Sequence, residues 1–118
     1  MDPTEYLPLK PRDFLILVAL ADATLHGYGI IKSIRDVTGD TVPIDAANLY
    51  RSLRRLGREG IVADADPPED SDGSDQRRYF ALTPFGRRVV AAEAARLSRI
   101  TSIAGMDRLI EEGRGVLG

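Results

Sequence analysis

At Gly60 the hydrophobic period of the chain changes, and that change limits the fold more than any other feature of the 118 residues. Before it, Leu49, Leu53 and Leu56 recur at i, i+4 and i+7, the spacing of one helix face. Asp45 fits the N-cap of that helix, which is predicted to run to Glu59 with Gly60 as its stop. After it, Ile61 to Ala65 forms a short apolar run, and Arg78, Phe80 and Leu82 alternate with Arg77, Tyr79 and Ala81. An apolar run and an alternating run this close predict a hairpin. Between them, residues 66–76 hold Pro67, Pro68, Gly73 and five acidic side chains, the composition of a solvated loop.

Two more helical patterns come first. Phe14, Leu17, Val18 and Ala21 mark a helix over about 11–22, and Leu15, Ile16 and Leu20 widen its apolar face until it nearly circles the axis. Such a helix packs on two sides. Ile30, Ile31, Ile34 and Val37 mark a second over about 27–38, stopped by Gly39. Residues 1–10 carry two of the seven prolines and are expected to form an extended arm. Thr83-Pro84 supplies an N-cap and first residue for a long terminal helix reaching about Glu112. The predicted class is mainly α with a small β-hairpin: a winged helix-turn-helix over 1–83, followed by a long C-terminal dimerisation helix within 84–118.

Composition removes most chemistries. The chain has no cysteine, which excludes disulfides, zinc knuckles and thiol catalysis. It has one histidine, His26, which argues against histidine-based metal sites; beside Gly27 at a helix start, its ordinary role is packing or capping. Neither a cofactor nor a metal is expected, and an enzyme is not. The longest apolar run, Phe14 to Ala21, is far short of the roughly twenty residues that span a bilayer, and Met1-Asp2-Pro3 lacks a basic export start, so a cytoplasmic protein is expected.

The net charge is −2, but fourteen of the sixteen cations are arginine, and their placement matters more than their sum. On a wheel at 100° per residue, Arg51, Arg54, Arg55 and Arg58 lie opposite the leucines of the third helix. Asn48 and Tyr50 flank that stripe. Arginine pairs with guanine and phosphate, and asparagine with adenine, so these residues are candidates for DNA contact. Most charge runs are solvated surface; here only Asp45 and Glu59 bracket the stripe, whereas ordinary helix surfaces interleave signs. Arg77 and Arg78 add a cationic pair at the hairpin base. Against DNA contact by the loop stand Asp64, Asp66, Glu69, Asp70, Asp72 and Asp75.

Leu25-His26-Gly27-Tyr28, then Asn48-Leu49-Tyr50-Arg51-Ser52-Leu53-Arg54-Arg55-Leu56 with Glu59-Gly60-Ile61, then Arg78-Tyr79-Phe80-Ala81-Leu82-Thr83 with Gly86-Arg87, resemble the PadR family of prokaryotic transcriptional regulators over about 9–90. The resemblance implies a winged-helix repressor that dimerises through its C-terminal helix, binds duplex DNA and often responds to a small aromatic effector. By position it assigns Tyr50, Arg54 and Arg55 to the third helix's DNA face and Arg77 and Arg78 to the wing base. An acidic wing and a single C-terminal helix depart from the family pattern.

The terminal helix carries two apolar stripes, Leu97, Ile100 and Ala104, and Ile103, Met106 and Ile110, with Gly105 as a bend between them. That surface calls for a second copy, with Phe14 and Val18 of the first helix also at the interface. A two-fold homodimer would match a palindromic operator. The other reading of the same fold is a protein-protein interaction module whose acidic loop meets a basic partner.

Overall fold

Three short helices lead into a small antiparallel sheet, and each boundary has a local cause. The computed structural model describes residues 1–69 and 76–117. Helix α1 (Pro11–Asp22) starts on Pro11, whose missing N–H is not needed at the first helical position. Helix α2 (Gly27–Thr38) is capped by His26, whose Nδ1 accepts the Gly29 N–H at 3.1 Å. Helix α3 (Ala46–Arg58) is capped by Asp45, whose carboxylate accepts the Asn48 N–H at 2.8 Å. Their apolar faces meet in one core: Ile16, Leu17 and Leu20 of α1, Ile30 and Ile34 of α2, and Leu49, Leu53 and Leu56 of α3.

The sheet has three strands rather than the two of a hairpin. Strands β1 (Leu25–His26), β2 (Val62–Ala65) and β3 (Tyr79–Leu82) lie in the order β1-β3-β2, all antiparallel. Leu25 faces Phe80 and His26 faces Tyr79 across the second edge of β3. A two-residue strand shows no period of its own; the free edge of β3 creates it. Arg77 and Arg78 lie before β3, not in it.

Helix α4 (Pro84–Thr101) follows at once, its N-cap Thr83 accepting the Gly86 N–H at 2.9 Å and donating its hydroxyl to the Gly60 carbonyl. Gly86 passes so close to the start of β2 that a Cβ there would lie 2.0 Å from the Ile61 carbonyl oxygen. This contact ties α4 to the sheet, and Val89 and Val90 complete the core. The arm is more ordered than an extended segment. It forms a 3₁₀ turn at Pro3–Tyr6, lays Tyr6 edge-on against Phe85 at 5.5 Å, and donates the Leu9 N–H to buried Glu93 at 2.6 Å.

The expected single helix to about Glu112 is divided. Helix α4 ends at Thr101, and α5 (Met106–Leu117) starts after Gly105, whose φ of 92° turns the chain. Residues 105–115 are exposed apart from Met106. The radius of gyration, 16.3 Å, exceeds the roughly 13.5 Å expected of a compact chain of this length, as an α5 standing off the body requires.

Candidate nucleic-acid interface

Helix α3 presents a cationic ridge because its leucines point the other way. With Leu49, Leu53 and Leu56 buried, the 100° step places Arg51, Arg54 and Arg58 on the solvent side, and all three are exposed. None of them forms an ion pair with a described residue. Elsewhere pairing is common: Lys32 with Asp36, Arg35 with Asp40, Arg96 with Glu93, and Arg108 with Glu112. Two arginines that the sequence placed with the ridge or the wing base are engaged inside the protein. The Arg55 Nη2 lies 2.8 Å from both oxygens of Asp13, a buried α1 carboxylate, so Arg55 joins α3 to α1 instead of standing free. Arg78 donates to Asp64 at 2.7 Å and its guanidinium stacks over Phe80 at 5.1 Å.

The flanks of the ridge are built from its neighbours. Asn48 donates to Asp45 through its side-chain amide and accepts from the Arg51 guanidinium at 3.0 Å, so it holds Arg51 against the N-terminal turn of α3. Tyr50 is partly exposed, its ring 6.1 Å from Phe80 and its hydroxyl seated over Gly27, where a Cβ would come within 2.5 Å of it. The Gly after His26 thus makes room for the tyrosine of α3. Arg77 donates to the Tyr79 hydroxyl at 3.4 Å. Asp64, Asp66 and Glu69 of the acidic segment are exposed, while Asp70, Asp72 and Asp75 lie outside the described residues.

Residues 16–92 match the model of the transcriptional regulator PadR-like family. The chain belongs to that family. A curated relative, an uncharacterized 37.1 kDa protein in transposon TN4556 of Streptomyces fradiae, is 37% identical over 87 residues, covering 74% of this chain. The chain spans only 23% of that relative's length. A PadR family transcription regulator from hypervirulent Clostridium difficile superposes with a TM-score of 0.68 at 22% identity, over 86% of this chain and 99% of the other. Bacillus subtilis PadR in complex with operator DNA gives 0.58 at 19% identity, over 70% of this chain and 46% of the other. These structures share the fold of this PadR-like chain.

The PadR-like match ends in α4, so the His26, Asp45 and Thr83 caps, the ridge and the sheet lie inside it, whereas α5 does not. Sequence reasoning about the ridge missed Asp13 and the residues before it. Asp13 stands at the i−4 and i−7 positions of Leu17 and Leu20, a carboxylate where the period asks for an apolar side chain, and that was its available signal. Among the described residues, no group of three or more acidic or histidine side chains could hold a metal ion. No helix there is long and apolar enough to cross a membrane.

Proposed function

We propose that this PadR-like chain is a homodimeric, sequence-specific repressor that inserts α3 into the major groove of duplex DNA. The observation that carries the reading is the exposed ridge of Arg51, Arg54 and Arg58, without an ion-pair partner among the described residues, on a helix whose opposite face is core. An arginine held by a neighbouring carboxylate must break that contact before meeting phosphate; these three need not. In this reading Arg54 and Arg51 contact DNA directly, Tyr50 and Asn48 border the contact, Arg55 positions α3 through Asp13, and Arg77 and Arg78 reach the backbone beside the sheet.

The dimer reading rests on the apolar surface that α4, α5 and the link between them expose. Ile100, Ile103, Leu109 and Ile110 are 41%, 60%, 61% and 48% exposed, too much large aliphatic surface for one end of the chain in water. Leu97 and Ala104 border it, and a second copy with two-fold symmetry would cover it. Phe14 and Val18 are only partly covered by the chain's own core, which leaves them available to the same interface. Two ridges related by that axis would meet successive major grooves, so the operator is palindromic with half-sites about 10 base pairs apart or a multiple. The test is to recover bound fragments from a genomic digest and sequence them. A shared two-fold symmetric sequence is expected, and recovery indistinguishable from the input would contradict the reading.

A further inference from the structure

The ridge of α3 has a groove on each side, and their charges differ. On the sheet side, Tyr50, Arg54, Gly57 and Arg58 border a groove of about 460 Å³ whose far wall carries Arg78, already bound to Asp64. On the other side, Asn48, Arg51 and Arg55 border a groove of about 650 Å³ whose far wall is the start of α1 with Lys10 and Arg12. Lys10, Arg12 and Arg51 are exposed, and none has an ion-pair partner among the described residues. The carboxylate within this groove, Asp13, has a 5% exposed side chain and is occupied by Arg55. Asp45, at the end of α3, is taken by the N–H and side-chain amide of Asn48. What faces solvent here is a net positive channel with Val42 and Pro43 as its floor edge.

We propose that this second groove seats the phosphodiester backbone of one DNA strand, gripped by Lys10 and Arg12 from one wall and Arg51 from the other. The inference rests on the reading of α3 as the groove-inserting helix and adds a contact surface to it. A helix with its side chains is about 10–12 Å across and the major groove about 12 Å wide, so an inserted helix has one sugar-phosphate strand along each flank. Each strand therefore runs over one of the two grooves. The sheet-side strand meets Arg54 and Arg58 on the α3 wall and a far wall whose Arg78 is already neutralised by Asp64. The α1-side strand meets Arg51 on the α3 wall and, on the far wall, Lys10 and Arg12, which have no ion-pair partner among the described residues. Arg51 belongs to both the ridge and this groove, which makes the two surfaces continuous. An open channel lined by separate point charges fits a polyanion that passes through it better than a small anion, which would need convergent donors.

The test uses the full chain with Lys10→Gln and Arg12→Gln, singly and together, titrated against labelled duplexes of random and of recovered sequence over a range of salt. Both side chains are exposed, so the variants should keep the wild-type melting curve. Each lost phosphate contact should make the slope of log K against log salt less negative by about 0.9, or about 1.8 for the pair. Taking the electrostatic contribution as vanishing near 1 M salt, the double variant should bind roughly thirtyfold more weakly at about 0.15 M. The loss should be equal for both duplexes, because backbone contacts carry no sequence. Wild-type slope and affinity in the double variant, with Arg54→Gln still weakened, would overturn the groove while leaving the α3 reading intact. A loss confined to the recovered sequence would also overturn it, since that reports base contact. Failure of the wild type to bind either duplex would overturn both.

Discussion

Asp13 and Glu93 each occupy a position where the helix phase calls for an apolar side chain, and each is buried because a distant partner satisfies it. The anomaly is legible in the sequence, in Asp13 beside Leu17 and Leu20 and in Glu93 beside Val89 and Val90. The distant partners are not legible: Arg55 lies 42 residues from Asp13 and the Leu9 N–H lies 84 from Glu93, separations at which no period operates, whereas Arg96, the other partner of Glu93, is three residues on along the same helix. Asp13→Ala removes a buried charge from a half-buried arginine and should cost about 2–3 kcal/mol in urea denaturation. Arg96 hydrogen bonding, aided by the Leu9 N–H, holds the Glu93 carboxyl below the usual carboxylate range against the opposing effect of burial. A lowered folded-state pKa means that this stabilisation is fully present above the unfolded carboxylate value, about 4.3, and is lost as pH falls through the lower folded value. Glu93→Gln should therefore be less stable than wild type at neutral pH, with the gap closing only below about pH 4.3. A gap of the same size at acid pH would contradict the contact. Gly86→Ala should be more damaging than either, because backbone atoms of Ile61, which move less readily than a side chain, block the new Cβ.

Among the elements, those with a period and a cap were legible: α1, α2 and α3 lie where their spacing, Asp45 and the stops at Gly39 and Gly60 put them. Strand β1 was not, because two residues cannot show alternation and its existence depends on the unpaired edge of β3. The division of α4 from α5 was half visible. The stripes of Leu97, Ile100 and Ala104 and of Ile103, Met106 and Ile110 are out of phase by more than 90°, and the break before Met106 is where the phase changes. At the edge of the sheet, Arg78, just before β3, reaches Asp64 of β2, and the two neutralise each other beside the α3 groove. Asp64→Asn frees Arg78 and removes a carboxylate facing the proposed DNA surface. Affinity for random duplex should rise severalfold at low salt and the salt slope should steepen by up to about 0.9, read by fluorescence anisotropy. An affinity below wild type would show that the ion pair holds Arg78 in its productive position.

For the whole molecule the formal charge of −2 conceals a segregated surface. Five cations without ion-pair partners among the described residues, Lys10, Arg12, Arg51, Arg54 and Arg58, border one helix, while the exposed aliphatic residues Ile100, Ile103, Leu109 and Ile110 occupy the far end of the chain. In the proposed dimer the apolar end joins two copies and sets the spacing of the two cationic ends. Ile100→Glu should shift sedimentation from dimer to monomer at micromolar concentration and remove cooperative operator binding; a wild-type monomer under those conditions would refute the dimer. Most direct for the central claim is the affinity of an Arg54→Ala/Arg58→Ala variant for the recovered operator, measured beside wild type at one salt concentration with both melting curves recorded. The two side chains carry no ion pair with a described residue, so the melting temperature should hold while operator affinity falls at least tenfold. Unchanged affinity in a folded variant would contradict the assignment of α3 as the DNA-binding helix.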